Sequence, residues 1–184
     1  MPSNALIVVH KLIRSELFEL SGQLSRAGAE DAETMSRSFD ALRALLEEHA
    51  AKEDQSLAPQ LDEATAARMT ADHVLLDDTF EQLTKRAHSL LPCDAVTRET
   101  RLAGLCLDYH AFIAAYLEHL DDEERTMLPQ LGERVPPLAV VALNAATLPL
   151  AERSAFLDKL FVQVTPSERR SIEQTLAEAL EAAQ

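Results

Sequence analysis

One short pattern of histidine and glutamate occurs twice in the chain. His49 is followed four positions later by Glu53, and His119 is followed in the same way by Glu123. In both copies an acidic residue comes after the Glu, and the stretch ends in Pro-Gln-Leu. Residues four apart lie on one face of an α-helix, so each imidazole and its carboxylate can reach the same ion or pair of ions. The repeat therefore predicts a metal site to which two helices contribute.

Four long amphipathic helices must position these residues. Apolar residues recur every three or four positions along four stretches, which is the pattern of helices that face a core. We expect the helices at about residues 4–26, 32–57, 62–90 and 95–128. Asp31 is the expected N-cap of the second helix, and Pro59 and Pro129 are expected to end the second and the fourth. Because the helices repeat as two similar pairs with short turns, they favour an all-α, up-down-up-down four-helix bundle.

The histidines on the apolar stripes divide into two kinds. His10 and His73 stand near the starts of the first and third helices, whereas His49 and His119 stand near the ends of the second and fourth. In an antiparallel bundle the start of one helix lies beside the end of the next, so all four should fall in one layer across the core. The Glu of each repeated pair then faces the same axis, one helical turn away.

The donor types indicate which ions would fit this layer. Two buried carboxylates without compensation would cost several kcal/mol, roughly, and bound metal ions remove that penalty. Imidazole and carboxylate without thiolate suit iron, manganese or zinc, and two Glu with four His favour two ions, of which we expect iron. His110 faces the opposite side of its helix from His119, and His88 lies about 22 Å along the axis from His73. Neither should bind the same metals.

Charge and composition narrow the class of protein. The 184 residues carry 17 Lys and Arg against 31 Asp and Glu, which gives a net charge of -14. This balance argues against nucleic acid and anionic membrane surfaces as partners, since both need a basic face. No apolar run approaches the roughly 18 residues of a membrane span, and the first residues lack the basic start of a signal peptide. We therefore expect a cytoplasmic protein, with Cys93 and Cys106 as ordinary reduced thiols.

The last part of the chain lacks the repeat. We expect residues 1–132 to form the bundle and residues 133–184 to form a helical extension. Prolines divide this extension into short helices, at positions 136, 137, 149 and 166. Thr165 and Glu168 match a capping box. Two apolar faces in the extension predict that its helices pack on the bundle or on a partner subunit, which would be a second copy or another protein.

The arrangement of these residues resembles the hemerythrin-like family, also called the HHE cation-binding domain. The likeness covers about residues 4–131 and rests on one His in the first helix, one in the third, and the two His-x3-Glu pairs. Members are four-helix bundles that hold a non-haem di-iron centre bridged by an oxo or hydroxo group and two carboxylates. By resemblance the terminal ligands would be His10, His49, His73 and His119, and the bridging ligands would be Glu53 and Glu123.

Two departures separate the chain from the oxygen carriers of that family. The carriers have a further His four residues after the third-helix His, where this chain has Asp77. Their last pair is His-x4-Asp, whereas here it is His119-x3-Glu123. In both respects the chain is more similar to the bacterial di-iron repair and stress proteins and to the iron-sensing F-box hemerythrin domain. The resemblance therefore implies iron without selecting one activity.

Three further side chains are candidates for the surroundings of the metals or for an additional ligand. Tyr116 stands three residues before His119 on the same stripe, so its hydroxyl is expected either just above the metals or hydrogen-bonded in the core. Arg14 and Asp77 each stand four residues after a stripe His. They either guard the site, pair with each other, or lie at the surface edge of the bundle.

Three functions are compatible with these expectations. The leading hypothesis is a di-iron protein that senses or captures a small redox species, namely oxygen, nitric oxide or peroxide. The first alternative is an enzyme that disproportionates hydrogen peroxide or acts in the repair of iron or nitrosative stress. The second is an interaction module that the metal only stabilises.

Overall fold

The computed structural model describes residues 4–183, which form helices joined by short turns and one isolated backbone bridge between Asn4 and Pro137. The α-helices of this part of the chain are α1 Ala5–Arg26, α2 Ala32–Ser56, α3 Glu63–His88, α4 Ala95–Asp122, α5 Leu128–Leu131, α6 Ala139–Thr147, α7 Leu150–Gln163 and α8 Pro166–Ala182. A π-helical segment, Glu123–Met127, joins α4 to α5. The predicted all-α class is confirmed. In the described chain no helix has the length and apolar character needed to cross a membrane.

The chain divides into two compact units. Residues 16–131 form the bundle unit, which contains the second half of α1, all of α2, α3 and α4, the π-helical segment and α5. The other unit, which we call the terminal unit, joins the beginning of α1 to the C-terminal helices; its described residues are 4–15 and 132–183. The helix α1 is therefore shared between the two units.

An aromatic cluster holds the helices of the bundle unit together. The rings of Phe39 on α2 and Phe80 on α3 stack with their centroids 5.6 Å apart. Tyr109 on α4 meets Phe39 edge-on at 5.5 Å and donates a hydrogen bond from its hydroxyl to the Leu17 carbonyl of α1 at 2.9 Å. The buried Tyr109 hydroxyl thus has the partner that burial requires. This cluster fixes the spacing of four helical segments along the core.

Side-chain caps and one arginine fix the connection that leads into α4. Asp94 accepts a hydrogen bond from the Thr97 N–H at 3.0 Å at the start of α4. Arg98 donates to the carbonyls of Leu90, Ala29 and Leu91 at 3.0, 3.1 and 2.7 Å. The Arg98 guanidinium therefore satisfies backbone carbonyls in two connections, the one between α1 and α2 and the one between α3 and α4.

Asp31 stands directly before α2, as the sequence predicts, but its side chain does not cap that helix. Its carboxylate accepts a hydrogen bond from the Gly28 N–H at 2.9 Å and makes no cap bond to α2. A 3-10 turn, Ala29–Asp31, precedes the helix and directs the carboxylate backwards. The predicted N-cap residue of α2 is therefore confirmed in position, but its side chain makes no capping hydrogen bond to the helix.

The second copy of the repeated motif departs from regular helix at Glu123. There the backbone widens into the π-helical segment, and the Leu128 N–H bonds to the Glu123 carbonyl. The prediction that Pro129 ends this helix is wrong, because α5 continues past it. A π turn changes which backbone N–H and C=O groups pair with each other. The N–H that Pro129 lacks would lie in this altered region, so its absence does not end the helix. In the first copy α2 does end before Pro59, at Ser56.

The terminal unit has an apolar core of its own. Its buried residues come from the first turns of α1 and from α6, α7 and α8: Ala5, Val8, Leu12, Val141, Ala142, Leu160 and Ile172. Lys11 of α1 donates to both carboxylate oxygens of Glu168 at 2.8 and 3.0 Å. Thr165 and Glu168 form the predicted capping box at the start of α8. The proline positions do separate the short helices, so this part of the sequence analysis is confirmed.

Candidate metal centre

Five of the six candidate ligands lie in the bundle unit, and all five are buried. They come from the end of α2, the beginning of α3, the end of α4 and the first residue of the π-helical segment. Their exposed fractions are 6% for His49, 3% for Glu53, 3% for His73, 7% for His119 and 2% for Glu123. Each occupies a position where the periodicity of its helix calls for an apolar residue, so the side chain points to the core.

These five side chains form an alternating chain of imidazole and carboxylate. His49 Nε2 lies 3.4 Å from Glu53 Oε2, which in turn lies 3.3 Å from His73 Nε2. His73 Nε2 lies 3.4 Å from Glu123 Oε1, and His119 Nε2 lies 3.1 Å from the same oxygen. Each carboxylate therefore stands between two histidines, and each Nε2 atom faces the core.

Two overlapping groups of these five side chains could hold metal ions. One donor atom from each of Glu53, His73, His119 and Glu123 lie within 4.8 Å of one another. Donor atoms of His49, Glu53 and Glu123 also lie within 4.8 Å of one another. Both groups contain both carboxylates, so the geometry suits two cations that share Glu53 and Glu123.

His10 lies in the terminal unit, in the first half of α1, and its side chain is completely buried. Arg14, also in that unit, is half-buried. Their predicted roles, as a ligand and as a neighbour of the site, stay predictions.

The electrostatics of the bundle unit favour a positive charge among the two carboxylates. Burial by itself lowers the pKa of His73, but hydrogen bonding and charge from Glu123 and Glu53 outweigh it and raise the pKa of His73 to about 10. An imidazolium therefore forms readily between the carboxylates at neutral pH. A bound cation would supply the same compensation for two carboxylates that have lost their water.

Tyr116 and Asp77 lie at different depths near the centre. Tyr116 is 3% exposed, and its ring centroid lies 5.7 Å from that of His119. Burial, with smaller contributions from Glu53 and Glu123, raises the pKa of Tyr116 well above its usual value, so the phenol stays protonated. Asp77 is half-buried on α3, one turn after His73, and burial raises the pKa of Asp77.

The two remaining histidines of the bundle unit lie outside both groups. His88 is exposed and pairs with Asp40, with 2.9 Å between Nε2 and Oδ1. His110 is exposed and hydrogen-bonds to the Ser21 hydroxyl at 2.9 Å through Nε2. Both serve as natural controls for the buried histidines.

Asp54 and Thr70 are part of the site's surroundings, although the sequence analysis did not single them out. Asp54 Oδ1 lies 3.1 Å from His73 Nδ1, and it accepts a hydrogen bond from the Thr70 hydroxyl at 2.8 Å. Asp54 is the acidic residue that follows Glu53 in the repeated motif, and Thr70 stands one turn before His73. The recurrence of an acid at that place was the available signal.

A family model described as hemerythrin HHE cation binding domain matches residues 1–131. Comparison with curated proteins gave no match, and comparison with solved structures gave none either. The matched span includes all six candidate ligands.

Proposed function

The chain belongs to the hemerythrin HHE cation-binding domain family, and from this membership we propose that it binds two iron ions and captures or senses a small redox species. The species we propose are oxygen, nitric oxide and peroxide. The observation that carries the proposal is the pair of overlapping His and Glu groups that share both carboxylates in the core of the bundle unit.

The donor set fits a pair of iron ions. Imidazole nitrogen and carboxylate oxygen are ligands that iron accepts readily, and manganese and zinc are the alternatives. The two donor groups overlap and both contain Glu53 and Glu123, an arrangement that supports two ions over one. An oxo or hydroxo bridge between the ions is the arrangement that the family resemblance implies.

We propose His49, His73 and His119 as nitrogen ligands and Glu53 and Glu123 as shared carboxylate ligands. The proposal adds His10 as the fourth nitrogen ligand, on the basis of the sequence pattern and the resemblance. His10 is a histidine in a completely buried position, where an imidazole needs a polar or metal partner.

Iron bound here would supply a redox-active Lewis acid to which a small ligand can add. The protein's part is to exclude water and to admit only small molecules. Three residues that stand one turn from a ligand along its helix are buried, with exposed fractions of 1–3%: Leu46, Tyr116 and Met127. A diatomic molecule or peroxide fits such a setting, whereas a large organic substrate would need an open cleft.

Asp77 favours reactive capture over simple oxygen storage. The oxygen carriers that the chain resembles have a His at this position, and here it is a half-buried acid. A carboxylate near the metals adds negative charge and stabilises the more oxidised, more positive state of the ions. We therefore propose that the reduced protein reacts with oxygen instead of storing it.

Metal analysis and optical spectroscopy of protein purified from iron-replete cells test this function. We expect about two iron ions per chain and spectra that change when oxygen, nitric oxide or peroxide is added. Well under one iron per chain after reconstitution would contradict the proposal. Steady oxygen release from hydrogen peroxide would assign the alternative enzyme function, and spectra inert to all three species would assign the metal only a structural role.

A further inference from the structure

The ring of His73 is contacted from two sides by carboxylates of different kinds. Its Nε2 faces the buried Glu53 and Glu123 at 3.3 and 3.4 Å. Its Nδ1 faces Asp54 Oδ1 at 3.1 Å. The His73 side chain is 4% exposed, whereas that of Asp54 is 35% exposed, so Asp54 lies at the boundary between the centre and solvent.

Asp54 is itself fixed by a neighbour on the opposite helix. The Thr70 hydroxyl of α3 donates a hydrogen bond to the same Oδ1 atom at 2.8 Å. Thr70 and His73 are three residues apart and lie on adjoining positions of one face of α3. A single carboxylate oxygen from α2 thus accepts from both side chains, and its position sets the orientation of the ring.

The contact with Asp54 determines which nitrogen carries the proton when a metal is bound. A carboxylate accepts hydrogen bonds, so Nδ1 must carry the hydrogen that points to Asp54. The lone pair of a neutral His73 is then on Nε2, the atom that faces Glu53 and Glu123. Histidine ligands of metals commonly donate their other N–H to a carboxylate in this way, which fixes the ring and raises the basicity of the ligand nitrogen.

We propose that Asp54 is a positioning residue for one of the two metal ions and that Thr70 holds Asp54 in place. This inference rests on the proposed iron binding and names residues outside the six ligands. Asp54 acts through His73 and does not bind the ion itself. Loss of its carboxylate should weaken the ion held by His73 and His119 more than the ion held by His49.

The pair formed by Asp40 and His88 provides a matched control in the same molecule. Its Nε2 to Oδ1 distance is 2.9 Å, but the side chains are 47% and 52% exposed. Such an exposed pair contributes little to stability, and His88 belongs to neither metal group. Asp40→Ala removes an aspartate–histidine contact of similar length without touching the centre.

Anaerobic titration with Fe2+ in competition with a chromogenic chelator measures the effect. In the wild-type protein we expect two ions to bind. Asp54→Ala should weaken one of them by about 10- to 100-fold. Asp54→Asn should weaken it less, because the amide oxygen can still accept from Nδ1, and Thr70→Val should also have a smaller effect. Asp40→Ala should leave both ions unchanged.

The state of the His73 Nδ1 proton gives a second readout that a loss of general stability would not move. In protein loaded with diamagnetic Zn2+ and labelled with 15N-histidine, Nδ1–H of His73 should appear as a hydrogen-bonded proton that exchanges slowly. In Asp54→Ala this signal should broaden or disappear, while the signals of the other bound histidines remain. The measurement needs only the metal and the folded protein.

The outcomes separate this inference from the proposed function. If the wild-type protein binds no Fe2+, the proposed function fails. If the wild-type binds two ions and a folded Asp54→Ala protein binds them equally well, with the His73 Nδ1 signal unchanged, the positioning role is wrong and the function stands. Selective weakening of one ion, restored in part by Asn at position 54, establishes the role.

Discussion

Glu53 and Glu123 each lie between two imidazoles in the core of the bundle unit. The sequence predicts this proximity because both residues interrupt an apolar stripe at the end of a helix. The contact between Asp54 and His73 could not be predicted in the same way. It depends on the rotation and the axial register of α2 against α3, and neither is encoded in the spacing along a single helix.

Replacement of one shared carboxylate tests the centre at the residue scale. Glu123→Ala removes a group common to both metal groups, so we expect iron to fall from about two ions per chain to well under one. His110→Ala, on an exposed histidine that bonds to Ser21, should keep the full content. Circular dichroism must show that both variants fold. A folded Glu123→Ala protein with its full iron content would show that this carboxylate is not a ligand.

Asp77 offers a second test at the residue scale. Asp77→His supplies the group that the oxygen carriers have at this position, and it removes a half-buried acid near the metals. We expect the reduced iron protein to be oxidised by air within minutes at most, and the variant to react several-fold more slowly. Stopped-flow absorbance of the reduced proteins mixed with oxygen measures both rates. The exposed neighbour offers a control, since Asp78→His should react like the wild-type protein. A wild-type protein that binds oxygen reversibly for hours contradicts this interpretation.

At the scale of the elements, periodicity predicted the four long helices and the breaks of the C-terminal segment closely. It failed at the π-helical segment, because a π turn has no composition of its own. The widened turn begins at Glu123 and ends at Met127, and both residues are buried. The spacing of apolar residues predicts a regular α-helix at both positions, so only the structure shows the change to π-helical hydrogen bonding.

The aspartate caps of α3 and α4 predict a pH dependence of stability. Hydrogen bonds from the N–H groups of Thr65 and Thr97 lower the pKa of Asp62 and that of Asp94 below the usual value of 3.8. The charged caps therefore stabilise the fold fully above about pH 4, and this contribution disappears as the pH falls through the lower folded values. Denaturant unfolding should show a smaller loss of stability below pH 4 in the double variant Asp62→Asn, Asp94→Asn.

Asparagine keeps the acceptor that caps the helix but does not titrate in this range. The comparison should therefore use unfolding free energies of metal-free protein at several pH values between neutral and about pH 2. Asp78→Asn, at an exposed position within α3, is the control and should follow the wild-type curve. If the unfolding free energies of the double variant and the wild type fall in parallel as the pH is lowered, the caps do not cause this pH dependence.

At the scale of the molecule, the sequence predicted an apolar packing role for the C-terminal helices but not the segment they pack with in the terminal unit. The first turns of α1 contribute Ala5, Val8 and Leu12 to the apolar core of that unit. The sequence analysis assigned α1 a single apolar face and did not separate these residues from it, so the terminal unit was visible only in the structure.

The core of the terminal unit should depend on its central leucine. Leu160 on α7 is completely buried in this cluster, so Leu160→Ala should lower the free energy of unfolding by about 2–5 kcal/mol. Val162, two residues later on the same helix, is 78% exposed. Val162→Ala should change the stability by no more than about 0.5 kcal/mol. Chemical denaturation of the two variants measures the difference, and equal effects would show that the cluster does not stabilise the fold.

Metal binding should stabilise the whole molecule by mass action. Ions that bind the folded chain alone raise its stability by about 2.7 kcal/mol when the free ion is at 100 times its dissociation constant. A domain of this size shifts its melting temperature by about 2–4 °C per kcal/mol. Removal of the iron by a chelator should therefore lower the melting temperature by roughly 5–10 °C. The metal-free core then keeps its carboxylates next to imidazoles, which compensates their charge less well than two cations do.

Differential scanning calorimetry of the iron-loaded and chelated proteins gives this shift directly. Glu123→Ala controls for effects of the chelator itself, because a protein that does not hold iron should melt at the same temperature with and without it. His110→Ala should retain the full shift, since its imidazole lies outside both metal groups. A wild-type melting curve that is unchanged after complete removal of the metal would mean that the buried His and Glu side chains are satisfied by each other. In that case the alternating imidazoles and carboxylates would be a structural polar network and not a metal centre.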